Sequence, residues 1–87
     1  MKFIEKKILP GWFEQIVKDN KNFEIRIIDN ENDFIPGNVV VLKEYLNKYT
    51  GRIQLVQIKE VWTCLPGLKD DYCIFTFNRI GGVITNI

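Results

Sequence analysis

In Lys21-Asn22-Phe23-Glu24-Ile25-Arg26-Ile27-Ile28, apolar and polar residues alternate with a period of two. Successive strand side chains point to opposite faces, so Phe23, Ile25 and Ile27 share one face while Asn22, Glu24 and Arg26 share the other. This is the clearest strand signal in the chain, and the elements around it follow from similar signs. Upstream, Lys2 to Leu9 mixes charged and apolar residues without helical period and stops at Pro10-Gly11, which predicts a first strand. Pro10 suits a first helical turn. Trp12, Phe13, Ile16 and Val17 then fall at helical spacing along one face, and Lys18-Asp19-Asn20 gives a polar exit. That stripe is expected to be core.

Downstream, Asp29-Asn30-Glu31-Asn32-Asp33 reads as an acidic loop closed by the turn Pro36-Gly37-Asn38. Val39 to Tyr45 predicts a third strand, apolar on both faces in its first half, as a covered sheet requires. Asn47 to Gly51 reads as a hairpin loop and Arg52 to Trp62 as a long fourth strand. The apolar phase of that strand changes between Ile53/Leu55 and Val56/Ile58, which calls for a β-bulge or a barrel bend. Tyr72 to Asn78 alternates again, with Cys73, Phe75 and Phe77 on one side. The tail 79–87, with Gly81-Gly82, is either a sixth strand or loose. Five or six short strands and one N-terminal helix predict a mainly β fold, a partly open barrel with the helix plugging one end. Trp62 is expected to fill the barrel.

The chain has 87 residues, 46% of them hydrophobic, which suits one domain over 1–87 with its core at about 2–78. With 12 Lys plus Arg against 11 Asp plus Glu, it lacks the footprint of a strong nonspecific nucleic-acid binder, so any such contact must be local. No run is long enough to span a membrane, and Met1 to Lys7 lacks the apolar centre of a signal peptide, so a cytoplasmic protein is expected. A monomer is assumed. Cys64 and Cys73 have neither zinc-knuckle spacing nor the density of a disulfide framework, and both are read as reduced structural thiols.

The composition includes no His, which removes the commonest general base and metal ligand. Asp29, Glu31 and Asp33 open like a calcium loop, but Phe34 and Val40 stand where that loop needs Gly and Glu. No metal or cofactor is expected. There remains the charge on the second strand. In an antiparallel barrel Glu24 and Arg26 lie roughly 7 Å apart on one face and can act together. Residue type alone favours a solvated face with a surface ion pair. Lys21, in the entry loop, can turn either way.

The order Lys7-Ile8-Leu9-Pro10-Gly11-Trp12-Phe13, Lys21 to Arg26, Asp33-Phe34 with Pro36-Gly37-Asn38, Leu42 to Tyr45, Tyr49-Thr50-Gly51 and Tyr72 to Phe75 resembles the ASCH domains of the PUA-like superfamily. It is most similar to their small bacterial and phage branch. The resemblance implies a PUA-like pseudo-barrel whose cleft, between the helix and the following strand, binds RNA or a nucleotide-like ligand. Lys7, Lys21, Glu24 and Arg26 would face that cleft, with Trp12 at a commonly aromatic position. Ile4 stands where the family has a His. Some ASCH relatives are amidohydrolases of acylated cytidine that use a Lys, a Thr three residues on and a late Glu. Lys21 matches the Lys, but Glu24 replaces the Thr, and Asp70 and Asp71 are the only acids near the late position.

Two classes of function follow. In a noncatalytic binding module Lys7, Lys21 and Arg26 meet phosphate or base edges, Glu24 accepts from an amino group, and Trp12 or Tyr45 stacks. In a hydrolase of a modified nucleoside Lys21 is base or nucleophile and Glu24 carries the proton. The missing Thr favours binding. A protein-interaction module is the third option.

Overall fold

The computed structural model describes residues 1–85. Along these the order is β1 (Phe3–Ile8), α1 (Pro10–Val17), β2 (Phe23–Ile27), β3 (Val39–Leu46), β4 (Lys48–Trp62) and β5 (Tyr72–Thr85). The strands form a single sheet in the order β1-β3-β4-β5-β2. β1 and β3 run parallel, and the other pairs are antiparallel. The sheet curls into a half-barrel, so the fold is a mainly β pseudo-barrel with one short helix. Its two edge strands meet across a seam, where the Arg26 guanidinium donates to the Lys7 carbonyl at 2.9 Å.

The long strands set the curvature. β4 changes register against β5 between Ile53 and Leu55 and again between Ile58 and Glu60. The first shift lies just ahead of the change of apolar phase in the sequence, and the inner face runs on through it, because the buried Gln54 occupies the position before Val56 and Ile58. That inner face carries Val56 and Ile58 from β4 and Cys73, Phe75 and Phe77 from β5, all buried. Phe34 stacks on Phe75 with ring centroids 5.2 Å apart. α1 starts at Pro10, whose missing N–H costs nothing in a first turn, and lays Phe13 and Ile16 into this core. After Lys18 the chain leaves the helix through Asp19 in the left-handed region, φ 61°. The acidic loop folds back on the start of β1. The Lys2 ammonium holds the buried Asp33 at 2.7 Å, and Asn38 donates to the Asp33 carbonyl at 2.9 Å.

Several expectations change. The hairpin between β3 and β4 is tighter than a five-residue loop: Leu46 already pairs with Lys48, and Asn47 makes the turn in the left-handed region. There is no sixth strand among the described residues, because the tail from Arg79 to Thr85 simply prolongs β5. Ile80 pairs with Leu55 and Ile84 with Ile53 there, so the sheet runs past residue 78, although both isoleucines stay exposed; Asn86 and Ile87 lie outside the described residues. Trp62 does not fill the barrel. It pairs with Ile74 at the end of β4 and is 47% exposed, since the inner volume is already taken by the phenylalanines. Trp12 leaves the helical stripe as well and is 55% exposed. Cys64 is no buried strand residue; it sits exposed in a turn at φ 58°.

The prolonged β5 is bound on both sides. Arg79 makes a two-pronged ion pair with Asp19, at 2.9 Å on each carboxylate oxygen. That pairing holds the Asp19 carboxyl below the ordinary carboxylate range. Since the folded value is lowered, its contribution is present above the ordinary Asp value and is lost as pH falls through the folded one; full exposure keeps it small. On the inner side the buried Gln54 amide donates to the Leu55 and Gly81 carbonyls at 2.9 and 3.2 Å. Ending the chain after Asn78 removes one of those acceptors and strips Ile80 and Ile84 from β4. A melting temperature lowered by at least about 8 °C is expected, read by circular dichroism; an unchanged melt would show that the extension adds nothing.

The two thiols should separate in reactivity. Cys73 is fully buried, and that burial pushes its thiol pKa up, so it stays protonated at neutral pH. An aromatic disulfide reagent should titrate Cys64 alone in the native protein and reach Cys73 only after denaturant is added.

Candidate functional site

β5 decides which face of β2 turns inward. In the antiparallel register Glu24 lies opposite Phe75 and Arg26 opposite Cys73, whereas Phe23, Ile25 and Ile27 lie opposite Thr76, Ile74 and Tyr72. Residues directly opposite share a face, so the buried Phe75 and Cys73 draw Glu24 and Arg26 to the inside. The solvated charged face expected from alternation is therefore inverted. Glu24 is only 5% exposed, while Ile25 on the apolar face is 51% exposed.

A carboxylate buried this deeply needs partners for its charge, and both oxygens have them. Arg26 donates through Nε and Nη2 to Oε1, at 3.0 and 2.8 Å, and the Lys21 ammonium contacts Oε2. Lys21, the residue free to turn either way, turns toward Glu24. Its ammonium also lies 5.2 Å from the Trp12 ring and 5.1 Å from that of Phe23, so the cation is held by two rings and a carboxylate. Arg26 spans the seam to the Lys7 carbonyl. One acid thus ties α1, β2 and β1 together.

Outside this ion triad lie two adjoining hollows. The first, of about 620 Å³, runs between α1 and the entry to β2 and is lined by Leu9, Trp12, Gln15, Asn20, Lys21 and Phe23. Its wall is mostly apolar. At one edge the Asn20 amide donates to Gln15 Oε1 at 3.2 Å, which leaves the Gln15 amide N–H groups and the Asn20 side-chain oxygen without a protein partner among the described residues. The second hollow, of about 430 Å³, follows the seam past Lys7, Glu24 and Arg26. Lys7 makes no ion pair among the described residues, and its ammonium sits 4.3 Å from the centre of the Tyr45 ring. The cleft as a whole has three cations against one carboxylate, with the carboxylate inside and Lys7 outside.

All five residues singled out in the sequence, Lys7, Trp12, Lys21, Glu24 and Arg26, line these two hollows. Phe23, Gln15 and Asn20 were not anticipated. Phe23 looked like a core residue of an alternating strand, and the two amides come together only because the chain reverses after α1 through the left-handed Asp19. Nothing in their spacing announces that.

The triad also makes a stability claim. Replacing Glu24 by Ala leaves Lys21 and Arg26 side by side without their counter-charge, a change that typically costs about 3–5 kcal/mol in a buried pair. For a domain of this size that is a fall in melting temperature of at least about 12 °C. Lys21→Met keeps much of the apolar packing and leaves Glu24 its Arg26 partner, so a smaller loss is expected. Equal melts for the two variants would show that Glu24 is not the hub.

A domain family described as a domain of unknown function, DUF3850, matches residues 4–77. No match was found among curated proteins. No helix among the described residues is long and apolar enough to cross a membrane. The matched span takes in β1 from Ile4 onward, α1, the seam and the whole ion triad, and the chain belongs to the DUF3850 family.

Proposed function

We propose that the groove between α1 and β2 binds an unpaired base of RNA, or a nucleotide-like ligand, without chemically altering it. One observation carries this reading. Trp12 and Phe23 flank an open hollow beside Lys21, whose ammonium is already engaged by the Glu24 carboxylate that Arg26 shares. Aromatic walls beside an ammonium already held inward suit a planar group, and the Gln15 and Asn20 amides offer it one donor and one acceptor. A phosphate belongs in the neighbouring hollow, where Lys7 and the outer side of Arg26 supply positive charge. The resemblance to ASCH domains of the PUA-like superfamily supports the same cleft. On this reading the protein is a cytoplasmic member of their small bacterial and phage branch.

The contact between Lys21 and Glu24 also suits a second reading, an amidohydrolase acting on an acylated nucleoside with Lys21 as base and Glu24 as proton carrier. Against it, the second carboxylate oxygen of Glu24 is occupied by Arg26, and no hydroxyl group lines either hollow. Release of cytidine from acylated cytidine, above the level of a Lys21→Ala control, would establish the hydrolase and displace the binding module.

Binding is tested by fluorescence anisotropy with short single-stranded and duplex RNA at low salt. Trp12 is half exposed, so Trp12→Ala should fold normally and weaken single-strand binding by about tenfold or more, the usual worth of a stacked base. Lys7→Gln should make the fall of affinity with salt shallower by about 0.7 in the logarithmic slope. Absence of binding to either RNA at low salt, or binding indifferent to Trp12→Ala, sinks the proposal.

A further inference from the structure

The outer face of the sheet beside the seam carries an arrangement that the groove does not use. Lys7 on β1 lies next to Lys43 on β3, and across the following hairpin Tyr45 lies opposite Tyr49. The Lys7 ammonium sits 4.3 Å from the Tyr45 centroid, and the Lys43 ammonium sits 4.5 Å from the Tyr49 centroid. The two rings meet edge to face at 5.1 Å. Two cation–ring rungs, Lys7–Tyr45 and Lys43–Tyr49, thus form a short ladder joined through the rings and through the β1–β3 pairing, and Lys7 is shared with the cleft.

The charge on this face is nearly unopposed. The Lys43 ammonium has Glu5 at 3.7 Å, and that carboxylate stands out in solvent, where a pair is worth little. Glu44, the acid between Lys43 and Tyr45, is buried and taken up by Thr50 at 2.6 Å and Arg52 at 3.6 Å. Lys48, at the exposed turn, makes no ion pair among the described residues. Tyr49 itself is half exposed.

We infer that this ladder is an extension subsite for single-stranded nucleic acid: a strand whose base occupies the Trp12/Phe23 groove passes its phosphate over Lys7 and lays its following bases against Tyr45 and Tyr49. The inference rests on the proposed function and adds a path and a ligand length to it. Each lysine set beside a ring offers one contact for a phosphate and one for a base of a single strand, and bases paired in a duplex cannot reach the rings. The ladder's rigidity helps, because side chains already held by cation–π contacts lose less freedom on binding.

The test compares an adenosine or uridine monophosphate with an eight-nucleotide RNA and the DNA of the same sequence. The octanucleotides are expected to bind at least about tenfold tighter than the mononucleotides. The double variant Lys43→Gln/Tyr49→Ala should remove most of that gain and leave mononucleotide binding unchanged, with folding checked by thermal melt. Lys48→Glu, at the exposed turn, gives an independent reading and should weaken only the octanucleotide. Mononucleotide binding with no gain for the longer strand, or a gain that survives both variants, overturns the extension and leaves the groove intact. Equal losses for short and long ligands also overturn it, and no binding of either length removes groove and extension together.

Discussion

A carboxylate placed under the edge of a small β-sheet is stable only where its charge is matched, and Glu24 is matched twice, by Lys21 and by Arg26. Each partner reaches it from a different direction. Lys21 comes from the turn after α1 and brings Trp12 and Phe23 with it; Arg26 lies two residues along the strand and continues across the seam to β1. The shape of the cleft is the result of satisfying that one charge. The helix sits where Lys21 can reach the carboxylate, and the two sheet edges stand one arginine apart.

The same arrangement governs what the cleft can bind. Had Lys21 been free, the groove beside the tryptophan would have been strongly cationic and suited to an anion. Held inward on Glu24, Lys21 leaves an aromatic slot with amides at its rim, and Lys7, which pairs with no carboxylate among the described residues, lies further along the seam. Separation of an apolar slot from a basic edge is what a nucleotide presents in reverse, with a planar base at one end and a charged phosphate at the other. A second consequence falls on the outside of the sheet, where Phe23, Ile25 and Ile27 stay partly exposed beside Ile74 and Trp62. Burial of the polar face of β2 is tolerable because β2 is an edge strand, paired within the sheet with β5 alone, which sets its face.

Much of the fold is legible from local pattern. Alternation marks β2 and β5, Pro10 marks the start of α1, and the change of apolar phase after Leu55 lies close to a register shift of β4. These features depend on residues close in the chain, which is why the sequence carries them. The hairpin at Asn47 and the continuation of β5 past Gly81 were harder to see. Asn47 adopts a left-handed conformation in a tight turn and Gly81 does so inside a continuous strand, and such residues resemble loop formers when read alone.

By itself the sequence determined a mainly β chain with one helix, and it singled out Lys7, Trp12, Lys21, Glu24 and Arg26 as residues of interest. Which way they point was decided by tertiary structure. A strand with alternating residues has two equivalent faces, and only pairing with a neighbour chooses between them. Phe75 and Phe77 of β5 claimed the interior, so the charged face of β2 followed them inside and its isoleucines were left at the surface. The physical reason is bulk and register together: hydrophobic burial on the central strand outweighs the smaller cost of exposing an edge, provided that the charge carried inward finds its partners.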